Sequence, residues 1–257
     1  KIMKYDFSKL NKIKKYSDFF IKGIFAGIMI SIAGMAYLSI SNHVIGSFLF
    51  SIGLLVICMY GMNLYTGKIG YVLINKKDYI YELILTLFGN FVGTFLSAKL
   101  ILLTRFSSVS ETASKIVSLK LGDNMLSIFI LSMFCGILMY IAVNNYKKLN
   151  TDIGKYGCIF LCVMTFILCG FEHCVANMFY IPVGMMAAQN PVYVAKAQEA
   201  YGLTAEQIQG LTILHSLNNF IPVTIGNILG GMVFVGIPCY FIYKKKWQKY
   251  HDDAKTA

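Results

Sequence analysis

The sequence predicts an all-α polytopic membrane protein, with six transmembrane helices arranged as two inverted three-helix repeats and helices 2 and 5 broken. Three observations predict it. Of the 257 residues, 57% are hydrophobic and only 14% charged, where soluble domains carry about 25% charged residues; the mean hydropathy is +0.63. The charges are segregated, so that 23–67, 83–98 and 125–146 hold none. The two halves also share short motifs in the same order. Alternating patterns of the outer-membrane barrel kind are absent.

The elements follow in chain order. Residues 1–19 form a Lys-rich segment ahead of an apolar run that is too long for the core of a cleaved signal peptide and lacks a small-residue cleavage site, so it reads as an uncleaved first span. A span needs about 20 mostly apolar residues. Six windows qualify: 20–40, 44–74, 80–104, 125–146, 156–187 and 211–243. Residues 20–104 form the first repeat, 105–124 an external loop, 125–243 the second repeat and 244–257 a tail.

The net charge of +11 would suit nucleic acid, but its placement argues for a bilayer. With the N-terminus inside, the inner segments hold 16 Lys and Arg against 4 in the outer ones, which are Arg105, Lys115, Lys120 and Lys196. That is the positive-inside pattern. Both termini are then cytoplasmic, no nucleic-acid role is expected, and the surplus charge faces the anionic leaflet. The seven Cys all lie in apolar stretches with no C-x-x-C and read as small buried hydrophobes.

The repeat shows at three places. "FAGIMISIA" (25–33) resembles "FCGILMYIA" (134–142), and "GMNLYTG" (61–67) resembles "GFEHCVA" (170–176), both at an offset of 109. "GNFVG" (89–93) resembles "GNILG" (226–230) at an offset of 137, which implies an insertion of 28 residues, placed at 187–210. Each half holds three spans, and an odd number inverts the second half in the membrane. Inverted repeats are a known way to build a transport path, and paired interrupted spans mark a midplane site. Here the interruptions are "GMNLYTGKIG" (61–70) and "GFEHCVANM" (170–178), with Leu64 opposite His173. Unwound backbone at that depth must be buried in protein or line a cavity. Gly27, Gly89, Gly93, Gly226 and Gly230 suit close helix packing.

"GFEHCVANMFYIPVG" resembles the signature of the formate/nitrite transporter family of anion channels, and "LYTG" and "GNILGG" fit the same family. The resemblance covers all six spans and points, within the family, to the clostridial hydrosulfide-channel branch. It implies an aquaporin-like helical fold and a homopentamer with one pore per protomer, in the cytoplasmic membrane of a bacterium. It implies His173 as the central pore histidine facing Thr66, and Leu54, Leu64, Tyr65 and Phe166 at or near apolar constrictions. Asn227 matches a polar residue near the histidine, and Lys120 the outer-side lysine. Tyr65 stands where Phe is commoner, and Lys68 adds a cation just after the first break. The substrates implied are small monovalent anions, namely hydrosulfide, formate or nitrite. No cofactor and no metal is implied.

An anion entering an apolar slit loses hydration worth several kcal/mol. Three features offset this loss. Cytoplasmic Lys147 and Lys148 and outer Lys115 and Lys120 raise the local anion concentration. The breaks free N–H groups at the following helix N-termini. His173 and Thr66 donate hydrogen bonds, and His173 is the group best suited to share a proton near neutrality. Glu172 is expected to orient His173 or to pair with Lys68; the other reading is a buried structural acid. His43, His215 and His251 read as loop or helix-end groups. Three rival functions remain. A proton-coupled carrier would use the same histidine. A neutral-solute channel would need Asn-Pro-Ala turns, which the chain lacks. An intramembrane metalloenzyme is disfavoured because Glu172, His173 and Cys174 are adjacent and cannot easily converge on one ion.

Overall fold

The computed structural model describes residues 7–106 and 109–241. Every regular element among them is helical. In chain order these are α1 (Phe7–Leu38), α2 (His43–Met59), α3 (Tyr65–Lys68) running into a 3-10 segment (Ile69–Ile74), α4 (Tyr79–Ile101), α5 (Val109–Gly122), α6 (Met125–Lys148), α7 (Asp152–Leu168), α8 (Cys174–Ala187), α9 (Pro191–Tyr201), α10 (Ala205–Gln209) and α11 (Ile213–Leu229), which continues through a π-helical stretch (Gly230–Gly236).

Four stretches are long and apolar enough to cross a membrane unbroken: Ile13–Leu38, Tyr79–Ile101, Met125–Lys148 and Ile213–Phe241. The windows 44–74 and 156–187 are instead each split in two, between α2 and α3 and between α7 and α8. The caps are local. Asn42 accepts from the Val44 and Ile45 amides to start α2, and Thr151 from Gly154 to start α7, satisfying amides that a helix start leaves free.

Small residues set the helix spacing. α1 packs along α4 and α6 along α11. A Cβ on Gly93 would collide with the Ile24 carbonyl, and one on Gly230 with that of Met133. Neither position admits alanine without separating the helices. Large apolar side chains face outward, among them Phe25, Phe48, Phe88, Leu161 and Phe234. Inside, Phe50, Leu54, Ile159, Val163, Val175, Phe179 and Val183 pack into one core around the two breaks.

Three boundaries differ from those read in the sequence. Residues 7–19 continue α1 as helix, because Lys, Asp and Tyr there do not interrupt helical hydrogen bonding. The expected external loop 105–124 contains α5, whose Val109, Ala113 and Val117 are buried, with Val117 packed on Gly184 of α8. The polar face "SETASK" hid this one-sided apolar stripe from a hydropathy count. The segment 187–210 holds α9 and α10, the latter started by a reciprocal cap between Thr204 and Gln207. The C-terminal tail, the Lys/Tyr-rich 243–250 and His251 lie outside the described residues.

Candidate functional site: two broken helices meeting at a histidine

Each break opens with the same turn. α2 ends as the Met62 amide bonds to the Ile57 carbonyl and the Gly61 amide to that of Cys58. α7 ends as Phe171 bonds to Phe166 and Gly170 to Ile167. This is the two-bond C-cap that requires a left-handed residue, supplied by Gly61 (φ +62) and Gly170 (φ +67). The chain then runs extended to Leu64 and to His173, which precede α3 and α8.

One asparagine from α4 and one from α11 satisfy the extended backbone. Asn90 of α4 accepts from the Tyr65 amide (3.0 Å) and donates to the carbonyls of Asn63 and Gly23 (both 2.8 Å). Asn227 of α11 accepts from the Cys174 amide (2.9 Å) and donates to the carbonyls of Glu172 (2.9 Å) and Ser132 (2.7 Å). The bonded positions correspond one to one at an offset of 109, and the asparagines at 137. Both asparagines are fully buried, so each clamp replaces bonds that the broken helix gives up.

The breaks meet through side chains. His173 Nε2 lies 2.8 Å from Thr66 Oγ1. Both residues are buried, at 2% and 0% exposure. His173 Nδ1 accepts from the Ala176 amide at 3.0 Å, capping α8. An acceptor at Nδ1 puts the proton of a neutral ring on Nε2, so the ring donates to Thr66. The Thr66 hydroxyl proton is then left to point at a third group. Phe166 stacks on the imidazole at 5.7 Å between ring centroids, and Phe50 meets Phe166 edge-on at 5.8 Å. Leu54, Leu64, Tyr65 and Phe166 are all buried in the core around this pair.

Glu172 is 5% exposed and takes both oxygens elsewhere. Lys120 Nζ of α5 donates to Oε1 at 2.6 Å, and Asn177 Nδ2 to Oε2 at 2.6 Å. Asn177 also donates to Asn219 Oδ1 (2.8 Å), and Asn219 donates to the Lys120 carbonyl (3.3 Å). The expected pairing of Glu172 with Lys68 is therefore incorrect. Burial of α5 delivers Lys120 to Glu172, while Lys68 lies on the other side of the His173–Thr66 pair.

Two cavities flank the centre. One of about 300 Å³ is lined by Lys120, Phe166, Gly170, Glu172, His173, Asn177 and Tyr180, among others. The other, about 600 Å³, is lined by Ile57, Gly61, Met62, Leu64, Gly67, Lys68, Tyr146 and Lys147, among others. Adding 109 to Ile57, Cys58, Gly61, Met62, Leu64, Gly67 and Lys68 gives Phe166, Ile167, Gly170, Phe171, His173, Ala176 and Asn177, which all line the first cavity. Lys148, expected at a vestibule, lines neither; its neighbour Lys147 does. Asn227 touches backbone on both sides of His173 rather than its ring.

Among the described residues no cluster of three or more His, Cys, Asp or Glu is placed to hold a metal ion. Asn90, Asn177 and Asn219 were not singled out in the sequence. The signal for Asn90 was present, because it follows the matched glycine of "GNFVG" as Asn227 follows that of "GNILG". Asn177 lies within the quoted break "GFEHCVANM" but nothing there marked its bond to Glu172, and for Asn219, in a helix interior far along the chain, there was no signal.

A family model described as formate/nitrite transporter matches residues 2–241. The formate channel FocA of Haemophilus influenzae is 27% identical over 240 residues, covering 85% of this chain and 84% of that protein. The formate-nitrite transporter of Plasmodium falciparum is 25% identical over 274 residues, covering 95% and 81%. Among solved structures, a pentameric formate channel with formate bound superimposes with a TM-score of 0.79 at 30% identity, covering 90% of this chain and 99% of that one. An ion channel of the same family has the same fold, with a TM-score of 0.69 at 20% identity.

Proposed function

Because the chain belongs to the formate/nitrite transporter family, we propose that it is a membrane channel for small monovalent anions, with a pore in each protomer that passes between the two breaks. The observation that carries this reading is the pair of cavities lined by equivalent residues on either side of one buried His173–Thr66 contact. A path through that contact would cross Leu54, Leu64, Tyr65 and Phe166 as apolar constrictions. The reading takes the chain as six crossings in an aquaporin-like arrangement, with 20–104 and 125–243 as inverted repeats, and the segregation of Lys and Arg supports both termini cytoplasmic, in a bacterial inner membrane. A pentamer is supported by the pentameric relative.

Formate comes first among the substrates, because the relatives and the solved neighbour at 30% identity carry that name. Hydrosulfide and nitrite, small anions of the same charge, follow. The anion sheds water between the constrictions and accepts in exchange a hydrogen bond from the Thr66 hydroxyl, with His173 Nε2–H polarising that hydroxyl from behind. Lys120, held by Glu172, faces the outer cavity, and Asn227 fixes the backbone from which His173 projects.

The neutral ring with its cap at Nδ1 favours ion conduction over a proton-coupled carrier. Giving the anion a proton first requires protonation of Nδ1, which breaks the Ala176 bond. The test is flux of formate, hydrosulfide and nitrite through reconstituted protein at two pH values, for wild type and His173→Asn. Unitary formate currents, reduced several-fold in the variant, are expected. Saturable, proton-linked flux without unitary currents would replace the channel by the carrier.

A further inference from the structure

The two cavities are equivalent in position and unequal in charge. On the outer side the one lysine close to the centre, Lys120, is neutralised by Glu172 at 2.6 Å. On the inner side Lys68 occupies the position equivalent to Asn177, so the repeat replaces a neutral amide with a cation. Lys68 and Lys147 line the 600 Å³ cavity together, and both also line a neighbouring cavity of about 980 Å³ that opens between α1, the 3-10 segment and α4.

Three carboxylates on that side are engaged, and a fourth, Asp78, lines only the larger 980 Å³ cavity and not the 600 Å³ one beside Leu64. Glu82 is paired with Lys15, Asp18 with Lys22 at 2.8 Å, and Asp152 with Lys155 at 3.5 Å. Among the described residues no carboxylate lies within 4.0 Å of Lys68 or Lys147. Each ammonium sits instead over a ring, Lys68 at 5.4 Å from the Phe19 centroid and Lys147 at 4.5 Å from that of Tyr71. Aromatic faces hold a cation in place without cancelling its charge. The inner cavity therefore carries two surplus positive charges beside Leu64, and the outer one an ion pair.

Resting on the channel reading above, we propose that Lys68 and Lys147 form an anion-binding subsite at the inner mouth of the pore, and that this subsite makes conduction directional. The ligand class is a small monovalent anion with one compact charged end, of which formate is the probe. A cleft lined by one sign of charge concentrates the opposite ion and raises its rate of entry. Anions load from the Lys68 side more readily than from the Lys120 side. At equal concentrations on both sides the current is then larger when anions move outward.

The experiment records single-channel currents in symmetrical sodium formate at equal and opposite voltages. Wild type is expected to rectify by about tenfold, the low end of what field focusing supplies, and less at high ionic strength, where exposed charge is screened. Lys68→Gln with Lys147→Gln should bring the current ratio close to one and lower conductance, with the oligomer intact on size exclusion. Lys68→Arg with Lys147→Arg should restore rectification. Glu172→Gln, which unmasks Lys120, should also reduce the ratio, but with conductance raised. A double Gln variant that rectifies as wild type overturns the proposal. If wild type gives no unitary current yet exchanges labelled formate, the channel reading fails and the subsite is judged by half-saturation. The double Gln variant must then raise the half-saturating formate concentration on the inner side several-fold; an unchanged value rejects the subsite.

Discussion

The two asparagine clamps make a quantitative prediction. Asn227→Ala removes three hydrogen bonds, one accepted from the Cys174 amide and two donated to the carbonyls of Ser132 and Glu172. Asn90→Ala removes the matching three, to the Tyr65 amide and to the carbonyls of Gly23 and Asn63. Side-chain hydrogen bonds inside membrane proteins average about 0.6 kcal/mol and reach about 1.7. Three of them give a loss of roughly 2–5 kcal/mol per variant, with the upper end expected where the abandoned amide finds no water. The two clamps sit on different breaks and share no bonding partner, so the double variant should lose the sum within about 0.5 kcal/mol. Reversible unfolding in mixed lipid–detergent micelles measures these values, and formate flux measures the functional cost. Equal losses are the signature of equivalent clamps. If Asn227→Ala is severe and Asn90→Ala costs under about 0.5 kcal/mol, the equivalence of the two breaks is wrong; a double variant that departs from additivity by more than about 1 kcal/mol shows instead that the breaks are coupled through the His173–Thr66 contact.

Four further outcomes follow from the same geometry. His173→Asn keeps an oxygen that can cap α8 and should be folded but poorly conducting, whereas His173→Ala loses the cap as well and should be less stable by about a further 1 kcal/mol in the same unfolding assay. Thr66→Val removes the hydroxyl beside Nε2 at nearly constant volume; formate conductance should fall several-fold with the oligomer unchanged from wild type on native gels, and an unchanged conductance would remove Thr66 from the path. Gly61→Ala and Gly170→Ala each force a side chain into left-handed backbone, at a cost of about 1–2 kcal/mol with no steric clash, since neither has a neighbour within 4 Å of the added carbon. Lys120→Ala leaves the Glu172 carboxylate buried with Asn177 as its remaining side-chain donor and should destabilise by about 3 kcal/mol or more, while Lys120→Ala with Glu172→Gln should recover most of that loss.

Four unbroken spans and both breaks were legible in the sequence because each rests on a local signal. Charge-free runs give the spans, and a glycine after an apolar run gives a left-handed C-cap. Their relation was legible because duplication kept the spacing, so that Gly61 and Gly170 align at the same offset as Gly27 and Gly136. What escaped was tertiary. The partner of Glu172 depends on α5, whose low hydropathy disguised a buried stripe of Val109, Ala113 and Val117. Lys148 looked equal to Lys147 in a charge count, but consecutive helical residues point about 100° apart, and only one of them faces the cavity. That Lys68 stands opposite the neutral Asn177 follows from the 109 offset, but that the two positions line equivalent cavities emerges only from the structure.

The clamps also set an order of assembly. The Tyr65 amide waits for an acceptor 25 residues downstream, and the Cys174 amide for one 53 residues downstream. Doubling the length of a closing loop costs only about 0.6 kcal/mol, so the delay matters more for timing than for final stability. As the chain emerges and enters the bilayer, the first half can complete its break once α4 is in place. The second half must hold its break open while α8, α9 and α10 are made and α11 arrives. A nascent chain stalled just after α4 has left the ribosome exit tunnel should therefore already protect its first break from solvent exchange, whereas one in which α8 but not α11 has left it should leave the second exposed.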